Sequence, residues 1–470
     1  MILRRLFDNR LAQASYIIAC DHTKLALIVD PNRSIPHYIQ ALAEQNLRLV
    51  GVTETHIHAD FVSGSRELAK ATGAQLYLSG DGGEDWQYSF AQSAGAKILH
   101  DGMSFDVGQV RIQAIHTPGH TPEHMTFLVT DTAVGDEPMG AITGDFIFVG
   151  DVGRPDLLER AAGFAGTMEK GARVLFKSLR EFKKRPDYLQ IWPGHGAGSA
   201  CGKALGAMPQ STLGFEKLFN WALVENDEEA FVKQVLAGQP EPPAYFAIMK
   251  RINREGPEAS PTSTPPALDA KRLARASDPI IDLRSTHEYA AGHLRNSINI
   301  PHNKSFLNWA GSLLPYDRDL YFIGNSAEEE RVKLARELAQ IGLERIAGVF
   351  PASRIGDLKR SGSAWIPSRE LSVESANANR TATILDVRGR SEYAEGHLPN
   401  AINIPVGELP RRLAEVPKGP IIVHCKGGSR SAIATSILQQ SGRDDVANML
   451  GGYTEWHRKG FAVETGNGAK

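Results

Sequence analysis

Cysteine is scarce in this chain, with three in 470 residues: Cys20, Cys201 and Cys425. Thiols so few and so far apart exclude a secreted disulfide framework and point to a reducing compartment. Neither sign of charge dominates, since 52 Lys+Arg face 54 Asp+Glu and the formal net charge is -2. That balance gives nucleic acid or an anionic membrane no electrostatic reason to bind, so a charged ligand must be held by local groups. Long apolar runs are missing as well. Leu25 to Val29 is typical of the longest, far short of the roughly 20 residues that cross a bilayer. The opening Met1-Ile2-Leu3-Arg4-Arg5 has the basic start of an export signal, but Asp8 and Arg10 interrupt it before an apolar core forms. The expectation is a soluble, cytoplasmic protein without membrane or nucleic-acid partners, its oligomeric state open to a homo-oligomer.

What is present is organised. At about 150 residues per domain, the length suggests three domains. An internal repeat occupies the C-terminal half: Ile281-Asp282-Leu283-Arg284 recurs as Leu385-Asp386-Val387-Arg388, an offset of 104 residues (386 minus 282). Glu288-Tyr289-Ala290, Gly292-His293-Leu294 and Asn299-Ile300-Pro301 recur at the same offset as Glu392-Tyr393-Ala394, Gly396-His397-Leu398 and Asn403-Ile404-Pro405. Solenoid units run about 20 to 50 residues, so this longer period marks a duplicated domain. Short apolar strands alternating with helical stretches imply a parallel sheet in each copy. The Pro/Ser/Thr-rich segment from Glu255 to Pro266 reads as a linker, and a second boundary falls between Arg360 and Ser375. The domains are therefore placed at 1–255, 262–365 and 373–470. In the first, strands at Leu25 to Val29, Gln75 to Leu78, Val110 to Ile115 and Met125 to Val129 with a helix at Gly64 to Thr72 suggest an α/β sandwich.

Within that first domain, Thr55-His56-Ile57-His58-Ala59-Asp60-Phe61 comes after the apolar run Leu47 to Val52. It places imidazoles and a carboxylate on a strand-to-helix loop, a donor set suited to divalent zinc, iron or manganese. Phe61 has no lone pair to give, so a second metal depending on that position lacks a ligand, and one metal is expected. Thr117-Pro118-Gly119-His120-Thr121, Thr143-Gly144-Asp145 and Trp192-Pro193-Gly194-His195-Gly196 complete the series. His116 is left out despite its spacing from His120, because Pro118-Gly119 forbids a helix there.

In order and spacing these motifs resemble the metallo-β-lactamase superfamily, and within it the persulfide dioxygenases, which implies an αββα sandwich holding mononuclear Fe(II) on His56, His120 and Asp145. Such a triad leaves room for a substrate sulfur and O2 together. Phe61 stands where relatives usually keep His. By the same resemblance His58, Asp60 and His195 act outside the triad, orienting ligands or water, unless they only stabilise turns. Arg154 resembles an arginine that attracts the carboxylate of a thiol substrate; a local ion pair with Asp151 or Asp156 is the other reading. Cys201, in a Gly-rich and helix-starting setting that would lower a thiol pKa, is either a sulfur relay or a buried inert thiol. Cys20 reads as core.

The second copy carries a thiol loop. Gly419 to His424 reads as a strand leading into Cys425-Lys426-Gly427-Gly428-Ser429-Arg430, with a helical stretch from Ser431 to Leu438 beyond it. A strand, a tight loop and a helix start aim backbone N–H groups inward, and Lys426 and Arg430 add positive charge, so the loop suits a thiolate and the oxygens of sulfite or thiosulfate. It resembles the rhodanese family, which implies a persulfide on Cys425 with Arg430, Gly427, Gly428 and Ser429 around it. Related phosphatases use a loop one residue longer. Asp386, Arg388 and His397 are read as structural. In the first copy the equivalent segment, Gly324-Asn325-Ser326-Ala327-Glu328-Glu329-Glu330, has no cysteine, so that copy is expected to be inactive.

The function implied is a persulfide dioxygenase fused to a sulfurtransferase, acting on a low-molecular-weight thiol persulfide and O2, with sulfite and thiosulfate as products. A glyoxalase II-like zinc thioester hydrolase and a sulfur carrier or sensor without turnover are the alternatives.

Overall fold

Gln13–Ala19, Leu25–Val29 and Met125–Asp131 are buried along nearly their whole length because they lie inside two sheets packed face to face. In this computed structural model, which describes residues 1–160, 166–203, 205–261, 263–360 and 362–466, they belong to a unit comprising Met1–Pro261 and Ala339–Gly342. Its first sheet runs in the order β1 (Ile2–Asp8), β2 (Gln13–Ala19), β3 (Leu25–Val29), β4 (Arg48–Thr53), β5 (Gln75–Ser79), β6 (Lys97–Leu99). The second is built from β7 (Ser104–Val107), β8 (Val110–His116), β9 (Met125–Asp131), β10 (Gly140–Gly144), β11 (Gln190–Pro193) and β12 (Ser211–Thr212), again in sequence order.

Neighbouring residues of a strand point to opposite faces, and the cores obey that rule. Ile18, Leu27 and Val29 meet Ile112, Phe127 and Ile142 between the sheets. Ile17, Ile28 and Val52 point the other way, onto the helices Ile35–Ala43 and Ser65–Thr72. Leu128, Ala141 and Ile191 pack against the helices Thr167–Phe182 and Glu228–Leu236 on the far side. The result is an αββα sandwich. Sheet pairing puts β3 parallel to β4 and β10 parallel to β11, so the loops leaving each pair emerge at one sheet edge.

The second unit holds both repeats, each with its own sheet and core. The first repeat has parallel strands in the order Ser297–Asn299, Ile280–Asp282, Leu320–Gly324, Ile346–Pro351. The second has Arg369–Leu371, Val446–Met449, Ile421–His424, Thr383–Asp386, Ile402–Asn403, also parallel. The helix Ser429–Gln440 is buried on almost every side, since its outer face lies on strand Ser297–Asn299 of the first repeat. There Asn299 N–H donates to Ser436 Oγ at 2.9 Å, and Arg295 pairs with Asp444 at 2.6 Å. Of the linkers read from composition, Thr262 and Ser361 lie outside the described residues, as does the C-terminal stretch 467–470. Among the described residues no helix is long and apolar enough to cross a membrane.

Candidate metal centre and thiol loop

His56 sits on the loop that leaves β4, held from behind. Its Nδ1 lies 2.9 Å from Thr55 Oγ1, and Thr55 donates through that hydroxyl (2.9 Å) and its N–H (2.6 Å) to the buried carboxylate of Asp30, at the end of β3. His120, on the β8–β9 connection, is fixed by Nδ1 3.1 Å from the carbonyl of Arg154. Asp145 comes directly after β10, where its N–H donates to His124 Nε2 at 3.1 Å. Gly144 makes the close approach: it adopts a positive φ of 48°, and a Cβ there would stand 2.5 Å from Thr55 Oγ1.

The free ring nitrogens and a carboxylate thereby converge. Asp145 Oδ2 lies 3.9 Å from His56 Nε2 and 3.5 Å from His120 Nε2, and the three donor atoms are mutually within 4.8 Å. Burial lowers His56 well below its usual pKa and His120 to about 3, which keeps both imidazoles neutral, the form that binds metal. Both Asp145 oxygens are buried without a hydrogen-bond partner. A buried carboxylate without a hydrogen bond, beside two neutral imidazoles, fits a divalent cation, because a buried polar group left unbonded is otherwise costly.

The outer residues divide. His58 turns to Asp30, its Nε2 3.2 Å from Oδ1, and its ring packs on Phe61 at 4.4 Å. Burial opposes its charge, but Asp30, Glu54 and Asp60 raise His58 to about 9. His195 Nε2 lies 3.3 Å from Asp60 and 3.4 Å from Asp145, while its Nδ1 is 3.0 Å from the Ala12 carbonyl. Cys201 joins Asp60 and His195 as a second set of donors within 4.8 Å of one another. Phe61 therefore restricts the site less than the sequence implied: that position offers no ligand, yet Cys201 stands beside the other two.

Two expectations need correction. Arg154 is fully buried and forms a two-pronged pair with Asp156 (3.0 and 2.8 Å), giving its remaining donors to the carbonyls of Ala200 and Pro240. The local pair is realised, and the guanidinium is buried with most of its donors engaged inside the domain. Cys201 starts no helix, and burial with the nearby charges of Asp60 and Asp145 pushes its thiol well up rather than down. Cys20 is core, as read.

Asp30, His124 and Asn253 escaped the sequence reading. Asn253 donates to the carbonyls of His58 (2.8 Å) and Phe61 (2.7 Å) and accepts from Ser63 N–H (2.8 Å), clamping the metal loop from a distant helix. His124 carried a signal, an inward position at the start of β9; Asn253 carried none. His116 points away, 2.7 Å from the Pro122 carbonyl.

In the other unit, Cys425 ends strand Ile421–His424 and is buried. Gly428 N–H points at its Sγ from 3.1 Å, and Ser431 Oγ lies 3.5 Å away. Lys426, Gly427 and Ser429 are exposed at the loop rim. Arg430 is engaged by Glu392 through both terminal nitrogens, at 2.5 and 2.8 Å, so its charge is shared with a carboxylate rather than aimed wholly into the loop.

A family model described as the metallo-beta-lactamase superfamily matches residues 8–195, and one described as the rhodanese-like domain matches 266–351 and 370–459. The solved structure of a metallo-beta-lactamase from Staphylococcus aureus subsp. aureus COL is 42% identical, covers 74% of this chain and 98% of that one, and superposes with a TM-score of 0.68. Persulfide dioxygenase ETHE1, mitochondrial, of Homo sapiens is 28% identical over 199 residues, 42% of this chain and 68% of its own. Probable polyketide biosynthesis zinc-dependent hydrolase BaeB of Bacillus velezensis is 27% identical over 202 residues, 43% and 80% respectively. A sulfurtransferase of Allochromatium vinosum is 33% identical over 99 residues, 21% of this chain and 92% of that protein.

Proposed function

The chain belongs to the metallo-beta-lactamase superfamily through residues 8–195 and to the rhodanese-like family through residues 266–351 and 370–459, and from that membership we propose a persulfide dioxygenase joined to a sulfurtransferase. The observation that carries the proposal is the pairing, in one chain, of the His56, His120 and Asp145 donors with a thiol loop whose amide points at Cys425 Sγ.

The overall first reaction is R–S–SH + O2 + H2O → R–SH + SO3²⁻ + 2H⁺. His56, His120 and Asp145 would hold Fe(II), which when bound supplies open positions for sulfur and O2. The protein's part is positioning. Asp30 and Thr55 fix the His56 ring, the Arg154 carbonyl fixes His120, and His195 spans Asp60 and Asp145. Partners of this kind commonly matter by about 10 to 100-fold.

The second reaction runs on Cys425. Its sulfur attacks the outer sulfur of another R–S–SH, the sulfur–sulfur bond of that persulfide breaks, and the inner sulfur leaves as R–SH with the proton that Cys425 gives up. Sulfite then attacks the outer sulfur of Cys425–S–SH, the sulfur–sulfur bond breaks towards Cys425, and thiosulfate departs. Gly428 N–H stabilises the sulfur of Cys425 when it is the leaving group, and Lys426 supplies positive charge at the rim. Joining both reactions in one chain raises the local concentration of sulfite for the second.

The Asp60, His195 and Cys201 group favours one other reading, a two-zinc hydrolase, because a thiolate donor suits zinc. Metal analysis with O2 electrode measurements separates them. One iron per chain and O2 uptake on adding a thiol persulfide is the expected result; two zinc ions per chain with thioester cleavage and no O2 uptake would overturn it.

A further inference from the structure

With Arg154 committed to Asp156, the metal pocket needs another group if it is to recognise an anionic substrate, and Lys250 is placed for that. It lies on the helix Phe246–Glu255, one turn before Asn253, the residue that clamps the metal loop at His58 and Phe61. Positions three apart on a helix share a face, so Lys250 faces the same loop. Its ammonium sits 3.5 Å above the ring of Trp86. The turn carrying Trp86 is tied to this helix by Arg254, which donates to the Asp85 carbonyl at 3.2 Å, and by Ser89 N–H to the Arg254 carbonyl at 2.9 Å. The same segment presses on the loop of His120: Gly82 has a φ of 93°, and a Cβ there would stand 2.7 Å from Glu123 N. Three segments thus form one rim, contributed by residues 82–86, 120–123 and 246–250.

Lys250 is the cation of that rim, and among the described residues it meets no carboxylate at ion-pair distance. Glu123, the acidic group nearest in influence, is fully buried, accepts from Ile57 N–H at 2.9 Å, and has its own pKa raised by burial. Glu123 balances the ammonium only through space, without an ion pair, and an ammonium resting on an aromatic face with no carboxylate in contact can receive an anion.

We propose that Lys250, resting on Trp86, is a specificity-determining residue that binds the carboxylate of the thiol carrier, so that the metal domain prefers thiol persulfides bearing an anionic group remote from sulfur. This rests on the dioxygenase reading above. The test compares persulfides of 3-mercaptopropionate and 2-mercaptoethanol, of similar size but differing in the carboxylate, on the full-length iron-loaded protein. For Lys250→Met, KM for the acid should rise about tenfold with kcat nearly unchanged, as expected when an interaction common to ground and transition states is removed. KM for the alcohol should not move, and Lys250→Arg should recover most of the loss. Equal effects on both substrates, or none on either, would overturn the proposal. If the wild type consumes no O2 with either persulfide, the dioxygenase reading fails. Lys250 is then judged by calorimetric binding of the two parent thiols to the metal-loaded protein, where selective weakening of 3-mercaptopropionate in Lys250→Met supports it and equal binding refutes it.

Discussion

The two rhodanese-like copies share a set of internal bonds, yet only one has a cysteine at the end of its central strand. In the first, Asp282 grips Arg284 at 3.0 and 2.6 Å, and Arg284 reaches the Gly292 carbonyl at 3.0 Å. In the second, Asp386 grips Arg388 at 3.0 and 2.5 Å, and Arg388 reaches the Gly396 carbonyl at 2.7 Å. Asn299 and Asn403 close the same strand end, each donating to two carbonyls. Tyr289 stacks on His293 with ring centroids 3.8 Å apart, and Tyr393 on His397 at 3.7 Å. These repeated residues bond within the fold in the same way in both copies, one of which has no cysteine. The copies part at the loop that ends one strand: Cys425 with the Gly428 amide in one, Gly324 at the matching register with three glutamates beyond it in the other. The Glu that caps the first helix shows the divergence in miniature. Glu288 bonds Ser285 at its own helix start, whereas Glu392 caps Gly389 and also holds Arg430.

The sharpest test of that contrast is Cys425→Ser, expected to abolish thiosulfate formation while O2 uptake and sulfite release persist; simultaneous loss of both activities would show that the copies and the metal domain do not divide the work. Placing a thiol in the first copy by Gly324→Cys, the position that the strand register matches to Cys425, should restore no sulfurtransfer in that background, since Glu328 to Glu330 repel anions. Measurable thiosulfate would mean that the fold, rather than the loop, suffices. Next in size, Arg388→Ala leaves Asp386 as an unpaired buried charge, at a cost of about 3–5 kcal/mol, read by denaturant unfolding. Arg284→Ala should cost less, because Arg284 is 12% exposed against 3% for Arg388; a sulfurtransferase defect without loss of stability in Arg388→Ala would make that pair catalytic after all. The smallest effect is expected from Tyr289→Phe and Tyr393→Phe. Each leaves one buried carbonyl unpaired, that of Ser297 or Ala401, for roughly 1–3 kcal/mol in both copies alike.

Much of the architecture was readable from the order of residues because periodicity reports burial. The strand expected at Leu25 to Val29 is β3, and those expected at Gln75 to Leu78, Val110 to Ile115 and Met125 to Val129 are β5, β8 and β9 with ends moved by two residues or fewer. β1 and β2 were not anticipated; Arg4 and Arg5 interrupt the apolar pattern of β1, an edge strand whose outer side chains are half-exposed. At the site the boundary between legible and illegible is just as physical. His56, His120, Asp145 and Cys425 are short-range signals, each beside glycine, proline or a strand end. Asp30 and Asn253 act on groups that no local pattern links to them, whereas the Asp156 partner of Arg154 was one of the two local pairs the sequence offered.

Residue types and their order were enough to single out candidate donors, a candidate thiol and a duplicated scaffold, because those properties arise from side-chain chemistry and the period of burial. How the charges are spent emerged from packing alone. Arg430 is shared with Glu392, Cys201 arrives beside Asp60 and His195, and Lys250 is left without an ion pair. The reason is that an ion pair depends on distance in space, and chain folding brings together residues that the linear order keeps far apart, as it does Asp60 and Cys201 across 141 positions (201 minus 60).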